Sequence, residues 1–387
     1  MHLLKTLKLK IGNISKSKKI LLLKEYSEFQ KAVKFSDEFI DKHKIYSLKQ
    51  LGLELYKKVK AISSLYSANY QNAFSEVLKI KRKNKKSVIK KIPLILRNDT
   101  FKLYKTRNKL FKYFIRVPVA DKRGGIFLPL HMREFQEKDL EGCKIGDSKI
   151  SYSNGTFFLH LTIKKEVEDK IPVKKEKLAL ISIDLGERNP AVSVARVGSS
   201  MTPHFYRENI RAVRAHYRVL RQNLGKKKLL KKIKQMKDKE SRITRDINHK
   251  ISKAIVEEAK QLKAKGFQPV ITMGNLQNIR KASANKGRNM KRRISQWSYY
   301  QLQKFITYKA NWEGIPVCFV SERGTSKTCH KCGTEGVRKR GLFKCSNCSM
   351  EYNADLNGAI NIGTRSLDYM FKDRASMTMP HVQNYKF

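Results

Sequence analysis

The sequence predicts an α+β chain of several domains, and three observations carry that reading. The first 170 residues begin and end in strand-like alternation around a lysine-rich helical stretch. A second half follows in which three strands precede helix, strand, helix, strand, helix, which is the element order of an RNase H-like domain. Two CxxC pairs interrupt that order before its last helix. At 387 residues there is room for two or three cores.

The N-terminal "LLKTLKLKIG" alternates as a strand does. From about Lys19 to Leu110, "LLLKEYSEFQKAVKF" and "LYSANYQNAFSEVLKIKRKNKKSVIKKI" space apolar residues three and four apart with lysines on the other faces, so a basic helical region is expected. Short strands follow in "KYFIRVPVA", "GIFLPL", "KISYS" and "TFFLHLTIKK", the last two joined by the turn pair Asn154-Gly155. A small antiparallel barrel or sheet is expected, with the N-terminal strand returning to it and the helices inserted. The charged "VEDKIPVKKEK", with Pro172, reads as a linker.

After it, "LALISIDLG", "AVSVARVG" and "PHFYRE" read as three strands. Two long helices are expected up to Gly266, one aligning Ile210, Val213, Tyr217 and Leu220, the other Ile243, Ile247, Ile251 and Ile255. The strand "PVITM", a basic loop to Arg293, the helix "SQWSYYQLQKFITYKANW", the strand "IPVCFVS" and a helix from Asp355 complete the order.

Composition narrows the partner. Lys plus Arg number 84 against 33 Asp plus Glu, a formal net charge of +51. Such a chain repels itself until a polyanion neutralises it, and nucleic acid is the expected one. No apolar run long enough to span a bilayer and no secretory core is present, so a membrane partner is not expected and the cytoplasm, at the nucleoid, is the expected location.

Cys329, Cys332, Cys345 and Cys348 suit a tetrahedral zinc site on two knuckles better than a disulfide framework or a redox motif, because two pairs occur together. Four protein ligands leave no open coordination position, so that zinc would be structural. Cys143 and Cys318 read as buried thiols. Asp184 closes an apolar strand and Asp355 opens an apolar-faced helix. An Asp starting a turn before Gly186, and a first-turn Asp on a helix dipole, explain each singly. Together with the element order they suit hydrolysis by paired magnesium ions, which needs several convergent carboxylates. Arg280, Lys281, Lys286, Arg288, Lys291, Arg292 and Arg293 crowd the loop after "PVITM", where they would draw a phosphate backbone toward those acids.

"IDLGERN", "TSKTCHKCG", "FKCSNC" and "NADLNGAINI" resemble the RuvC-like and zinc-ribbon portion of TnpB, the transposon-encoded RNA-guided DNA nuclease related to type V CRISPR effectors and Fanzor proteins. The resemblance is specific from about Lys177 to Leu367. It implies a wedge-like β-barrel at 1–18 and 111–172, a helical recognition domain at 19–110, a RuvC-like nuclease domain at 173–325 and 350–387, and a target-binding zinc ribbon at 326–349. It further implies a guide RNA, double-stranded target DNA with a short flanking motif, and a catalytic Asp-Glu-Asp set. The family's usual Glu at the end of the fourth strand is absent, since Gly274 and Asn275 stand there. Rearranged family members resemble "VSERGTSKTC", which supplies Glu322 instead. In an RNase H-like sheet the fourth strand lies between the first and fifth, so Glu322 would start about 10 Å from Asp184 and reach over Gly274. The expected catalytic and magnesium-binding set is therefore Asp184, Glu322 and Asp355. The alternative is an RNA-guided repressor that binds without cutting.

Overall fold

The computed structural model describes residues 2–107, 110–168, 170–186, 188–276, 279, 287, 290–292, 294, 297–371 and 376–380. They form two compact units, His2–Glu166 and Val167–Phe387.

The first unit runs β1 (His2–Ile11), α1 (Lys16–His43), α2 (Leu48–Ile62), α3 (Ser67–Lys83), β2 (Leu94–Leu96), β3 (Lys102–Lys105), β4 (Tyr113–Val119), β5 (Lys122–His131), α4 (Glu134–Leu140), β6 (Lys144–Ile145), β7 (Ser148–Ser153) and β8 (Thr156–Glu166). Its strands pair in the order β2-β7-β8-β1-β5-β4-β3, with β6 beside β8. The N-terminal strand does return, pairing antiparallel with both β8 and β5. Asn154 and Gly155 both take positive φ, 48° and 76°, as a two-residue turn between twisted strands requires. The helices stop at Lys83, short of the expected Leu110: "IPLIL" contains a proline and a β-prone apolar run, and it becomes β2 of the sheet. Inside the insertion, Glu25 on α1 accepts hydrogen bonds from Tyr66 N, Asn69 Nδ2 and Ala120 N, tying α1 to α3 and to the β4–β5 turn. Cys143 is half-buried instead of buried.

The second unit runs β9 (Lys170–Lys174), β10 (Leu178–Asp184), β11 (Ala191–Val197), β12 (Ser200–Tyr206), α5 (Ile210–Lys226), α6 (Leu230–Met236), α7 (Lys239–Ala264), β13 (Gln268–Asn275), α8 (Tyr299–Trp312), β14 (Val317–Ser321), β15 (Gly336–Lys339), β16 (Leu342–Cys345), β17 (Glu351–Asn353), α9 (Ala354–Phe371) and β18 (Ser376–Pro380). The expected linker carries a strand, because β9 pairs with β18. The expected pair of long helices is three, broken where Lys228 and Lys237 take positive φ. Of the apolar row expected on the first helix, only Ile210 is buried, and Ile243 of the second row is exposed.

The central sheet has the order β12-β11-β10-β13-β14, with β10 antiparallel to β11 and parallel to β13, and β13 parallel to β14. Strand alternation divides its core between two helical layers. Ile181, Ile183, Ile271, Met273 and Val317 face α7 and α8, where Ile251, Ile255, Leu302 and Ile306 meet them. Leu180, Val270, Cys318 and Val320 face α9, against Ile362 and Met370. Continuing that second register past the strand ends leads to Asp184, Gly274 and Glu322.

α9 lies very close to β10. A Cβ on Gly363 would come 2.9 Å from Ser182 Oγ, and one on Gly358 would come 2.7 Å from Asp184 Oδ2. Thr272 and Ser366 hydroxyls share a buried 2.8 Å hydrogen bond across the same seam. Gly363→Val should therefore overpack the seam and lower unfolding free energy by about 1–3 kcal/mol in chemical denaturation; an unchanged midpoint would mean that the helix has slack against the sheet.

Candidate active site

Three carboxylates stand at the carboxyl ends of β10 and β14 and the start of α9, near enough that Asp184 feels the charge of Asp355 and Glu322 that of Asp184; among the described residues only the four cysteines bring three or more ligand atoms within 4.8 Å of one another. Asp184 ends β10, Asp355 lies in the first turn of α9, and Glu322 follows the last residue of β14. Asn353 Oδ1 accepts from the backbone of Asp355 and Leu356, so the helix start that carries Asp355 is capped from its own preceding strand.

Glu322 is folded inward. A methyl group built on Gly274 would overlap Glu322 Oε1, Cγ and Cδ, so the side chain occupies the space that any larger residue would take. Glu322 Oε1 is sealed from solvent without a hydrogen-bond partner among the described residues. Burial, and then the charge of Asp184, pushes Glu322 up to about 8. Asp184 keeps partial contact with solvent, yet burial and the charge of Asp355, opposed by Arg338, push it up to about 7. Asp355 is buried and held from two sides: Arg338 Nη2 donates to Oδ1 at 2.7 Å and Asn189 Nδ2 to Oδ2 at 2.8 Å.

Arg338 and Asn189 were not singled out by sequence. Arg338 sits in "VRKRG" among equally basic neighbours, and nothing local marks it as the one facing an acid. Asn189 lies in the β10–β11 loop, where Asn is ordinary turn chemistry. Of the basic loop, Lys291 and Arg292 are exposed; Arg280, Lys281, Lys286, Arg288 and Arg293 lie outside the described residues.

The four cysteines converge. Their sulfurs all lie within 4.8 Å of one another, with Cys329–Cys348 at 3.7 Å and Cys332–Cys345 at 3.4 Å. Tetrahedral Zn–S bonds of about 2.3 Å require sulfurs about 3.8 Å apart, so the set is compatible with structural zinc. Cys345 Sγ accepts from Asn347 N and Cys348 N, both at 3.4 Å, in a tight knuckle. β15, β16 and β17 form the ribbon around it. α9 grips its base: Asn357 Oδ1 accepts from His330 N, and Asn357 and Asn361 donate to the carbonyl of Thr328.

Residues 299–362 match the Cas12f1-like TNB domain family. A TnpB-like protein of Methanocaldococcus jannaschii is 29% identical over 266 residues, covering 65% of this chain and 90% of the relative. The CRISPR-associated endodeoxyribonuclease Cas12f1 of Sulfoacidibacillus thermotolerans is 35% identical over 147 residues, 37% of this chain and 32% of that protein. The chain thus spans most of the first relative and about a third of the second. Among solved structures, that of a Cas12f1–sgRNA–target DNA complex superposes with a TM-score of 0.57 at 17% identity, covering 94% of this chain and 99% of that one, which is a likeness of fold.

The raised carboxylates set a pH dependence. Glu322 and Asp184 move from ordinary values of 4.5 and 3.8 to about 8 and about 7, so between about pH 4 and pH 8 these two groups hold more protons in the folded chain than in the unfolded one. Their contribution to stability then falls as pH rises through that window and levels above it. In metal-free buffer Glu322→Gln should stabilise the fold by about 1 kcal/mol or more at pH 9 relative to wild type, with a smaller gain at pH 5. Equal gains at both pH values, in melting curves, would contradict the inward carboxylate.

Proposed function

Because the chain belongs to the TnpB family, we propose that it is an RNA-guided DNA endonuclease. A guide RNA pairs with one strand of double-stranded target DNA beside a short flanking motif, and Asp184, Glu322 and Asp355 form the cutting site. The observation that carries this reading is the inward fold of Glu322 over Gly274, which restores a third carboxylate where the fourth strand has none. A decayed site has no reason to keep a sealed, unpartnered carboxylate oxygen beside a second acid.

The donor set suits hard divalent cations: three carboxylates, two of them held above their ordinary values by burial and by a neighbouring carboxylate. Magnesium bound there, as an ion pair, would supply Lewis-acid charge and an activated water for phosphodiester hydrolysis. The chain's own groups orient the acids. Asn189 fixes one oxygen of Asp355, Gly358 lets Asp184 lie flat against α9, and Arg338 presents a guanidinium suited to a phosphate oxygen. The strand order β12-β11-β10-β13-β14 supports an RNase H-like, RuvC-type domain. The sheet of the first unit with its three-helix insertion supports a wedge and a recognition element, whose lysines would lie along RNA backbones. Zinc on the four cysteines would hold the ribbon that carries Arg338.

Two experiments follow. Purified protein with its bound RNA and magnesium should cut a matched plasmid, and Glu322→Gln and Asp184→Asn should each slow cutting by about 100-fold or more. Equal cutting by Glu322→Gln refutes the placement of the acid, and a wild-type complex that binds target without cutting under varied metal and temperature leaves a repressor. Elemental analysis should find zinc bound to the wild-type chain and lost in Cys345→Ser, whose ribbon should melt earlier. Full zinc content in Cys345→Ser would move the metal elsewhere.

A further inference from the structure

A cavity of about 320 Å³ lies beside the acid cluster, between the loop after β10, α5 and the start of α8. We propose that it is a nucleotide pocket, taking one extruded base and its phosphate from the single DNA strand presented to the acids. The assignment of the ligand to the strand being cut rests on the endonuclease reading above.

Size suits a single nucleotide, since pockets for small organic ligands begin near about 300 Å³. One wall is cationic. Arg211, Arg214 and Arg218 line it from α5 at i, i+3 and i+7, a spacing that puts all three on one helix face. Planar guanidiniums in a row match phosphate oxygens. The opposite wall is aromatic: half-buried Trp297 packs on Tyr299 with ring centroids 5.1 Å apart, and both rings line the cavity. Such a surface stacks any base.

The deciding group is Asn248, on α7 and wholly buried. Its Nδ2 donates to Ser298 Oγ at 3.1 Å and Gln301 Oε1 at 2.9 Å, which fixes the amide. The residue lines the cavity, and its Oδ1, sealed from solvent, has no hydrogen-bond partner among the described residues. A buried acceptor without a donor is costly, and every nucleobase carries an N–H donor on its pairing edge. Cationic wall, stacking wall and unmet acceptor are the three recognitions a nucleotide needs.

The location ties the pocket to the acids. Gly186 and Pro190 form its rim, and Gly186 follows Asp184 by two residues, a Cα separation of no more than about 7 Å. At Gly186 the backbone doubles back so closely that a Cβ would come 2.6 Å from Asn189 O. Asn189 in turn holds Asp355. A base seated in the pocket would therefore press on the loop that orients an acid.

The test uses the full-length protein with its copurified RNA, in EDTA so that nothing turns over. The chain has two tryptophans, and Trp312→Phe leaves Trp297 as the fluorescent reporter. A 5′-phosphorylated thymidine trinucleotide should quench Trp297 and bind about tenfold more tightly than the same trimer with its bases removed. Asn248→Leu should erase that base preference. Arg211→Ala with Arg218→Ala, both exposed side chains, should weaken both trimers equally and flatten the salt dependence by about one unit per arginine. Equal binding of the based and abasic trimers, or an intact preference in a folded Asn248→Leu protein, overturns the pocket. Binding of a ribonucleotide trimer with none of the deoxy trimer overturns its assignment to the DNA strand. Base-dependent quenching in a chain that never cuts plasmid keeps the pocket and sinks the endonuclease, and cutting without such quenching does the reverse.

Discussion

The close approach of α9 to β10 is the constraint on which the acid cluster depends. Gly358 and Gly363 remove the Cβ atoms that would hold helix and strand apart. Only at that separation does the first turn of α9 bring Asp355 beside Asp184, so that its charge raises the cost of ionising Asp184. The same helix grips the ribbon through Asn357 and Asn361. One element thus fixes an acid, the spacing to a second, and the base of the module that supplies Arg338. Its asparagines are spaced i, i+4 and its glycines i, i+5, so gripping and docking occupy neighbouring faces.

Electrostatics within this part of the molecule run opposite to the whole. A chain of net charge +51 encloses three carboxylates with a single guanidinium among the described contacts. Desolvation and a neighbouring carboxylate push Asp184 up to about 7 and Glu322 up to about 8, so the cluster is not an ordinary polar surface. Packing energy elsewhere in the sheet offsets this strain. The layers on both faces of β10 and β13 are built from fully buried isoleucine, leucine, valine and methionine. A rigid, well-packed frame under an electrostatically unfavourable cluster is what is expected where local stability has been exchanged for a binding task.

Much of this arrangement was legible in the residues. The apolar run into Asp184, the two CxxC pairs and the apolar helix after Asp355 each carried a local physical signature. Glu322 was reached through the family resemblance; in the structure it lies two residues beyond Val320 on the α9-facing register of β14, the same parity as Asp184 two beyond Ser182 and Gly274 two beyond Thr272. What stayed hidden depends on tertiary contact. Arg338 and Asn189 look like any basic hairpin residue and any turn asparagine until the ribbon and the loop fold over Asp355. The helical region was overread to Leu110 because lysine-rich spacing mimics an amphipathic helix, whereas Leu94–Leu96, just after Pro93, join the sheet. The row from Ile210 to Leu220 was assigned to the core, yet α5 turns its arginines toward a cavity and leaves most of that row half-buried. Period alone identifies a face and not what covers it.

Arg338 links the ribbon to the acids in a way that makes the cluster conditional. Its guanidinium is half-exposed and reaches Asp355 from β15, a four-residue strand whose place depends on the hairpin with β16 and hence on Cys345. Loss of order around the four sulfurs would therefore remove the Arg338 cation that opposes the raised ionisation of Asp184. The ribbon's geometry and the charge state of the cluster are thus two readings of one contact, which couples the four-cysteine cluster to the acids through the Arg338 side chain.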